Sequence, residues 1–97
     1  MTRLVITPLA ENDIEEIGDY IAKDNPNRAV SFIAELRGQC RKLALSPQAY
    51  RLRHELGNDV RASVYGNYMI FFNYDEKDVR ILRILHSARN LPAQFDP

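Results

Sequence analysis

Three short apolar runs crowd the last third of the chain, between Val60 and Asn90, and their pattern is that of strands. Val60, Ala62 and Val64 alternate with Arg61, Ser63 and Tyr65. Tyr68, Ile70, Phe72 and Tyr74 alternate with Met69, Phe71 and Asn73; Val79, Ile81, Arg83 and Leu85 alternate with Arg80, Leu82, Ile84 and His86. Gly66-Asn67 between the first two runs is a hairpin signal, because a two-residue turn needs positive φ and these residues tolerate it. The polar run Asp75-Glu76-Lys77-Asp78 separates the next pair with a longer loop. A three-stranded antiparallel meander is therefore expected. Its second and third strands are apolar on both sides, so one face should lie under helices and the other should meet something more than water.

The earlier part of the chain supplies that cover. Arg3-Leu4-Val5-Ile6-Thr7 is short and β-branched, a strand ending at Thr7-Pro8. Thr7 is placed to cap a helix whose first residue, Pro8, loses nothing by lacking an N–H. Ala10, Ile14, Ile17 and Ile21 then recur at spacings of one helical face. Gly18 sits inside this helix at a cost near ~1 kcal/mol against alanine, which a close helix–helix crossing would explain. Asn25 and Pro26 start a second helix, whose stripe is read as Ala29, Val30, Ile33, Leu36, Cys40 and Leu43, running to Leu45 before Ser46-Pro47 stops it. So short a link makes the two helices an antiparallel hairpin. Residues 48–59 have no period and read as a basic connector carrying Arg51, Arg53 and His54. The expected fold class is α+β: an N-terminal strand, an antiparallel helical hairpin, then a three-stranded antiparallel meander, with the first strand joining the sheet. At 97 residues the chain is expected to be one domain, residues 1–97.

Composition narrows the function classes. A single cysteine, Cys40, excludes an intramolecular disulfide and suits a reducing compartment. No signal-peptide pattern and no apolar run near the ~20 residues of a membrane helix occur, so a soluble cytoplasmic protein is expected. The net charge is zero but unevenly spread. Residues 1–24 hold six acids against Arg3 and Lys23, whereas residues 25–97 hold eleven bases against seven acids. Such a dipolar surface can steer a charged partner toward one face, although solvated faces of amphipathic helices give the same count.

Two histidines, one cysteine and scattered carboxylates show no metal-ligand spacing, and the four glycines are isolated, so no metal, phosphate loop or other cofactor is expected. What remains is a polar group that the meander brings together. Arg61 and Tyr65 share a face of one strand. Alternation puts Arg80 and His86 on one face of the last strand and Arg83 on the other, with His86 and Arg89 at its exit. Arginines recognise phosphate or carboxylate, and a histidine titrating near neutrality can pass a proton, so this group suits RNA cleavage by the RNA's own 2′-hydroxyl. The competing structural account has His86 capping the strand end, with Arg61 and Arg83 paired to Glu55, Asp59 or Asp78.

The order of elements resembles the RelE/ParE superfamily of type II toxin–antitoxin toxins. The resemblance rests on the opening Leu4-Val5-Ile6-Thr7-Pro8-Leu9-Ala10 with Asp13-Ile14, then Arg61 with Tyr65, Tyr68-Met69-Ile70-Phe71-Phe72, and the ending Ile84-Leu85-His86-Ser87-Ala88-Arg89. It covers almost the whole chain and implies one of two activities. RelE-like members cut messenger RNA on the ribosome; ParE-like members lack most of that catalytic set and poison DNA gyrase. The chain resembles the ParE branch more closely, since no tyrosine follows His86 and a ribosome-bound nuclease is expected to be strongly basic. Under the nuclease alternative, His86, Arg61 and Arg83 would be the catalytic group; under the gyrase alternative there is none. The resemblance also implies a ParD-like antitoxin in hetero-oligomeric complex with the toxin, DNA gyrase as target, and no direct sequence-specific DNA binding. Expected target contacts are Arg61, Tyr65, His86, Arg89, Leu91 and Phe95; expected antitoxin contacts are Ile14, Ile21, Ile70 and Phe72.

Overall fold

The computed structural model describes residues 3–57 and 59–88. Strand β1 (Arg3–Ile6) leads into helix α1 (Pro8–Ala22) and, after a tight turn, helix α2 (Pro26–Leu45). A two-residue strand β2 (Arg51–Leu52) lies between two single 3-10 turns, Pro47–Ala49 and His54–Leu56. The meander follows as β3 (Arg61–Tyr65), β4 (Tyr68–Tyr74) and β5 (Asp78–His86). The sheet order is β1-β5-β4-β3-β2. Its strands are antiparallel except for β1, which runs parallel to β5 with Arg3 opposite Asp78 and Ile6 opposite Ile81. The connector therefore contributes a strand that its sequence does not signal: Arg51 pairs with Ala62 and Leu52 with Arg61.

Both helix starts form as their caps predict. Thr7 Oγ1 accepts the Ala10 N–H at 3.3 Å and donates to the Ile81 carbonyl at 2.7 Å, tying the helix start to β5. Asn25 Oδ1 accepts the Arg28 N–H at 3.0 Å. A β-carbon on Gly18 would sit 2.5 Å from Ile33 Cδ1, so this glycine does mark a close helix–helix approach.

The main core lies between the helical hairpin and one sheet face. Ala10, Ile14, Ile17, Phe32, Leu36, Cys40 and Leu43 meet Ile70, Phe72, Val79, Ile81 and Ile84 there. Two corrections concern α2. Val30 and Leu45 are 73% and 84% exposed, whereas Phe32 is buried, because the stripe that faces the sheet runs Ala29, Phe32, Leu36, Cys40, Leu43. A third concerns partner contacts. Ile14, Ile70 and Phe72, expected at an antitoxin surface, are interior residues exposed by 2% or less, since the chain's own helices cover that sheet face. Ile21 is half-buried at the edge of this core.

The opposite sheet face carries a smaller cluster, in which Leu56 and Val60 from the connector cover Phe71 and Leu85, with Ala62, Met69 and Leu82 around them. Part of what that face meets is thus the chain itself.

The register of β4 on β5 breaks once. Phe71 faces Arg83 while Phe72 faces Ile81, leaving Leu82 as an extra residue, a β-bulge. Strict alternation fails at this point. Ile84 joins Val79 and Ile81 toward the helices, Leu85 turns away, and His86 comes to the helix-covered face rather than sharing one with Arg80.

Candidate binding site at the end of the sheet

The Tyr65–Tyr68 hairpin and the end of β5 meet at one edge of the molecule. Gly66 takes the positive φ of 59° that the hairpin needs, and Asn67 accepts the Ser87 N–H at 2.9 Å. Tyr65 pairs with Tyr68, and Tyr68 with His86, so three rings stand side by side across β3, β4 and β5. Tyr68 meets the His86 ring edge-on at 5.4 Å. Phe32 of α2 lies 5.8 Å from Tyr65 and 5.6 Å from Tyr68.

Helix α2 adds charge to this aromatic patch. Arg28 lies 5.1 Å over the Phe32 ring and pairs with Glu35 at 2.6 Å. Glu35 in turn accepts the Tyr65 hydroxyl at 2.6 Å. The Arg28 guanidinium, then the Tyr65 hydroxyl, hold the Glu35 carboxyl below its ordinary range. Its acceptance of the phenolic proton pushes Tyr65 up. Glu35 escaped the sequence analysis; the available signal was its place seven residues, two helical turns, after Arg28.

Helix α1 closes the other side through Asp13, which is only 6% exposed. Its carboxylate accepts Arg83 Nε at 2.8 Å, Arg83 Nη2 at 3.0 Å and the Ile84 backbone N–H at 2.9 Å. Between these walls runs a groove of about 870 Å³, lined by Ile17, Tyr20 and Ile21 of α1, Phe32 of α2, and Ile84 and His86 of β5.

Of the expected target residues, the fold brings Tyr65 and His86 together and sends Arg61 elsewhere. Arg61 opens β3 opposite Phe72, four residues and ~13 Å of strand from Tyr65. Its guanidinium donates to the Tyr50 carbonyl at 2.6 Å and lies 5.4 Å from the Tyr74 ring centre. Arg83 is held by Asp13, not by the acids expected for it. His86 does cap the strand end, its Nδ1 accepting the Ala88 N–H at 3.1 Å, which places the neutral ring's proton on Nε2. Arg53 pairs with Glu55 beside Val64 and Met69 on the outer sheet face, away from this groove. Arg89, Leu91 and Phe95 lie outside the described residues. Among the described residues no set of three His, Cys, Asp or Glu side chains converges to hold a metal, and no helix is long and apolar enough to cross a membrane.

Comparison with known proteins places this geometry in a class. The fold is shared with two solved toxin–antitoxin assemblies. One is the chromosomal ParDE system of P. aeruginosa, with a TM-score of 0.77 and 22% identity over 89% of this chain and 96% of that one. The other is the toxin–antitoxin complex RelBE2 of Mycobacterium tuberculosis, with a TM-score of 0.65 and 22% identity over 88% and 96%. Among curated protein sequences none matches. The class is that of type II toxin–antitoxin toxins. Within it, the family model for the ParE toxin of the parDE system matches residues 4–91, and the chain belongs to that family.

Proposed function

We propose that this toxin acts in the cytoplasm by gripping DNA gyrase rather than by breaking bonds, and that a ParD-like antitoxin neutralises it in a hetero-oligomeric complex. The observation that carries the proposal is the dispersal of its nuclease-like residues. General acid–base catalysis on RNA needs a proton carrier and a cation within reach of one phosphate. Here His86 stands at one end of the sheet, Arg61 is bound to Tyr50 toward the other, and Arg83 is bound to Asp13. The patch of Tyr65, Tyr68 and His86, backed by the buried Phe32, is instead the kind of aromatic surface that anchors protein interfaces. Arg89, Leu91 and Phe95 are further target contacts in this proposal.

Two assays separate binding from catalysis. Purified toxin is expected to stall supercoiling by gyrase and trap cleaved DNA on it, while leaving messenger RNA on ribosomes intact. His86→Ala is expected to weaken this inhibition less than tenfold, whereas an acid–base histidine in a nuclease would cost ~10²–10⁴ in rate. Undisturbed gyrase together with ribosome-dependent cuts in messenger RNA would establish the RelE-like nuclease in its place.

A further inference from the structure

Tyr65 closes β3 at the hairpin turn, and one face of α2 decides how its side chain stands. Arg28, Phe32 and Glu35 recur on that helix at spacings of four and three, so they share a face. Their contacts with Tyr65 form a closed circuit. The Tyr65 hydroxyl donates to Glu35 Oε1 at 2.6 Å. Arg28 grips both oxygens of the same carboxylate, at 2.6 and 3.4 Å, and its Nη1 also donates to Ser31 Oγ at 3.0 Å. The Arg28 guanidinium lies 5.1 Å over Phe32, and Phe32 meets the Tyr65 ring at 5.8 Å. Turning Tyr65 to another χ1 rotamer would break the hydroxyl bond and part the ring from Phe32 at once.

The fold itself has little need of this circuit. The β3–β4 ladder and the positive φ of Gly66 already set the hairpin. The Arg28 and Glu35 side chains are 46% and 38% exposed, and ion pairs that open to water add little stability. What the circuit does fix is the posture of one half-buried ring at the edge of the aromatic patch. A ring fixed beforehand spares an interface the cost of ordering it on binding. We infer that Glu35, braced by Arg28, is a positioning residue for Tyr65: it holds the ring in the posture the target meets and occupies the phenolic proton, so the target finds an aromatic ring and an oxygen that can only accept. The inference rests on the reading of Tyr65 as a target contact.

The test uses the full-length toxin and the variants Glu35→Leu, Glu35→Gln, Tyr65→Phe and Glu35→Leu/Tyr65→Phe. Potency is the amount of soluble toxin per cell that halves growth when no antitoxin is made. Glu35→Leu and Tyr65→Phe are each expected to lose about three- to tenfold, the scale of immobilising one side chain on binding. The double variant should lose no more than either alone, because both changes remove the same bond. Glu35→Gln keeps an acceptor and should stay closer to the unaltered toxin than Glu35→Leu does. In purified toxin, N-acetylimidazole should modify the Tyr65 oxygen more slowly than that of Tyr20, which is 67% exposed and has no hydrogen bond among the described residues. Glu35→Leu should speed the Tyr65 reaction by at least about threefold, since the bond to Glu35 is what pushes that phenol up. Single losses that multiply in the double variant, Glu35→Gln as weak as Glu35→Leu, full potency in Glu35→Leu, an unchanged Tyr65 acetylation rate, or no growth arrest by the unaltered chain would each overturn the inference. Growth arrest is read whatever the target, so a failed gyrase assay leaves this inference standing, and full potency in Glu35→Leu leaves the gyrase proposal standing.

Discussion

Asp13 joins helix to sheet through a side chain, where most of that contact is apolar. Three donors share its carboxylate, two on Arg83 and one on the Ile84 backbone. Replacing it with asparagine removes the charge that faces the Arg83 guanidinium at 2.8 Å, leaving Glu16 of the same helix to act on it from farther away. Breaking one side of such a pair costs about 3 kcal/mol, and Asp13→Asn is expected to lower the urea midpoint, followed by circular dichroism, accordingly. An Asp13→Leu/Arg83→Met double variant is expected to recover only part of the loss, since the Ile84 N–H would remain unpaired. Asp75 illustrates a different effect. The Asp78 and Lys77 backbone N–H groups, and then Arg80, hold its carboxyl down to about 2. A depressed carboxyl stabilises the fold above its ordinary value of 3.8, and that contribution is lost as the pH falls from there through about 2. Asp75→Asn is therefore expected to flatten this part of an acid-denaturation curve, with little change at neutral pH in the shape of the transition.

At the scale of elements, the close crossing of α1 and α2 depends on Gly18. Its missing side chain makes room for Ile33, and Gly18→Val is expected to cost about 2–3 kcal/mol, measured by thermal unfolding, as overpacking pushes the helices apart. The helices were legible in the sequence because Thr7, Pro8, Asn25 and Pro26 are local signals, and local signals survive folding. The N-terminal strand and the meander were legible for a similar reason, through alternation and turn residues. What escaped was non-local. Strand β2 is two residues long and exists only because β3 offers it a ladder, so nothing within Arg51-Leu52 announces it. The bulge at Leu82 is likewise invisible, because alternation assumes one residue opposite one. That single extra residue puts His86 on the face of Tyr68, where strict alternation would have it share a face with Arg80. Parity could not say which face of β4 the helices cover, and so Ile70 and Phe72 were expected at a surface when they belong to the interior.

For the molecule as a whole, the even charge balance matters more than any one residue. Thirteen bases meet thirteen acids, and many of the arginines are engaged within the fold: Arg3, Arg28, Arg37, Arg53, Arg80 and Arg83 all pair with carboxylates. Retention on nucleic acid comes chiefly from unpaired cations that displace counterions. The chain is accordingly expected to pass through immobilised single-stranded RNA at about 0.15 M salt, where a strongly basic domain of the same size would be held. Strand order has a separate outcome, one in time. β5 sits between β1 and β4 but is translated after both, so β1 has no neighbour to bond with until residues beyond Asp78 have emerged. The sheet of a nascent chain therefore closes only once β5 has been made, and the groove that β5 lines takes shape with it.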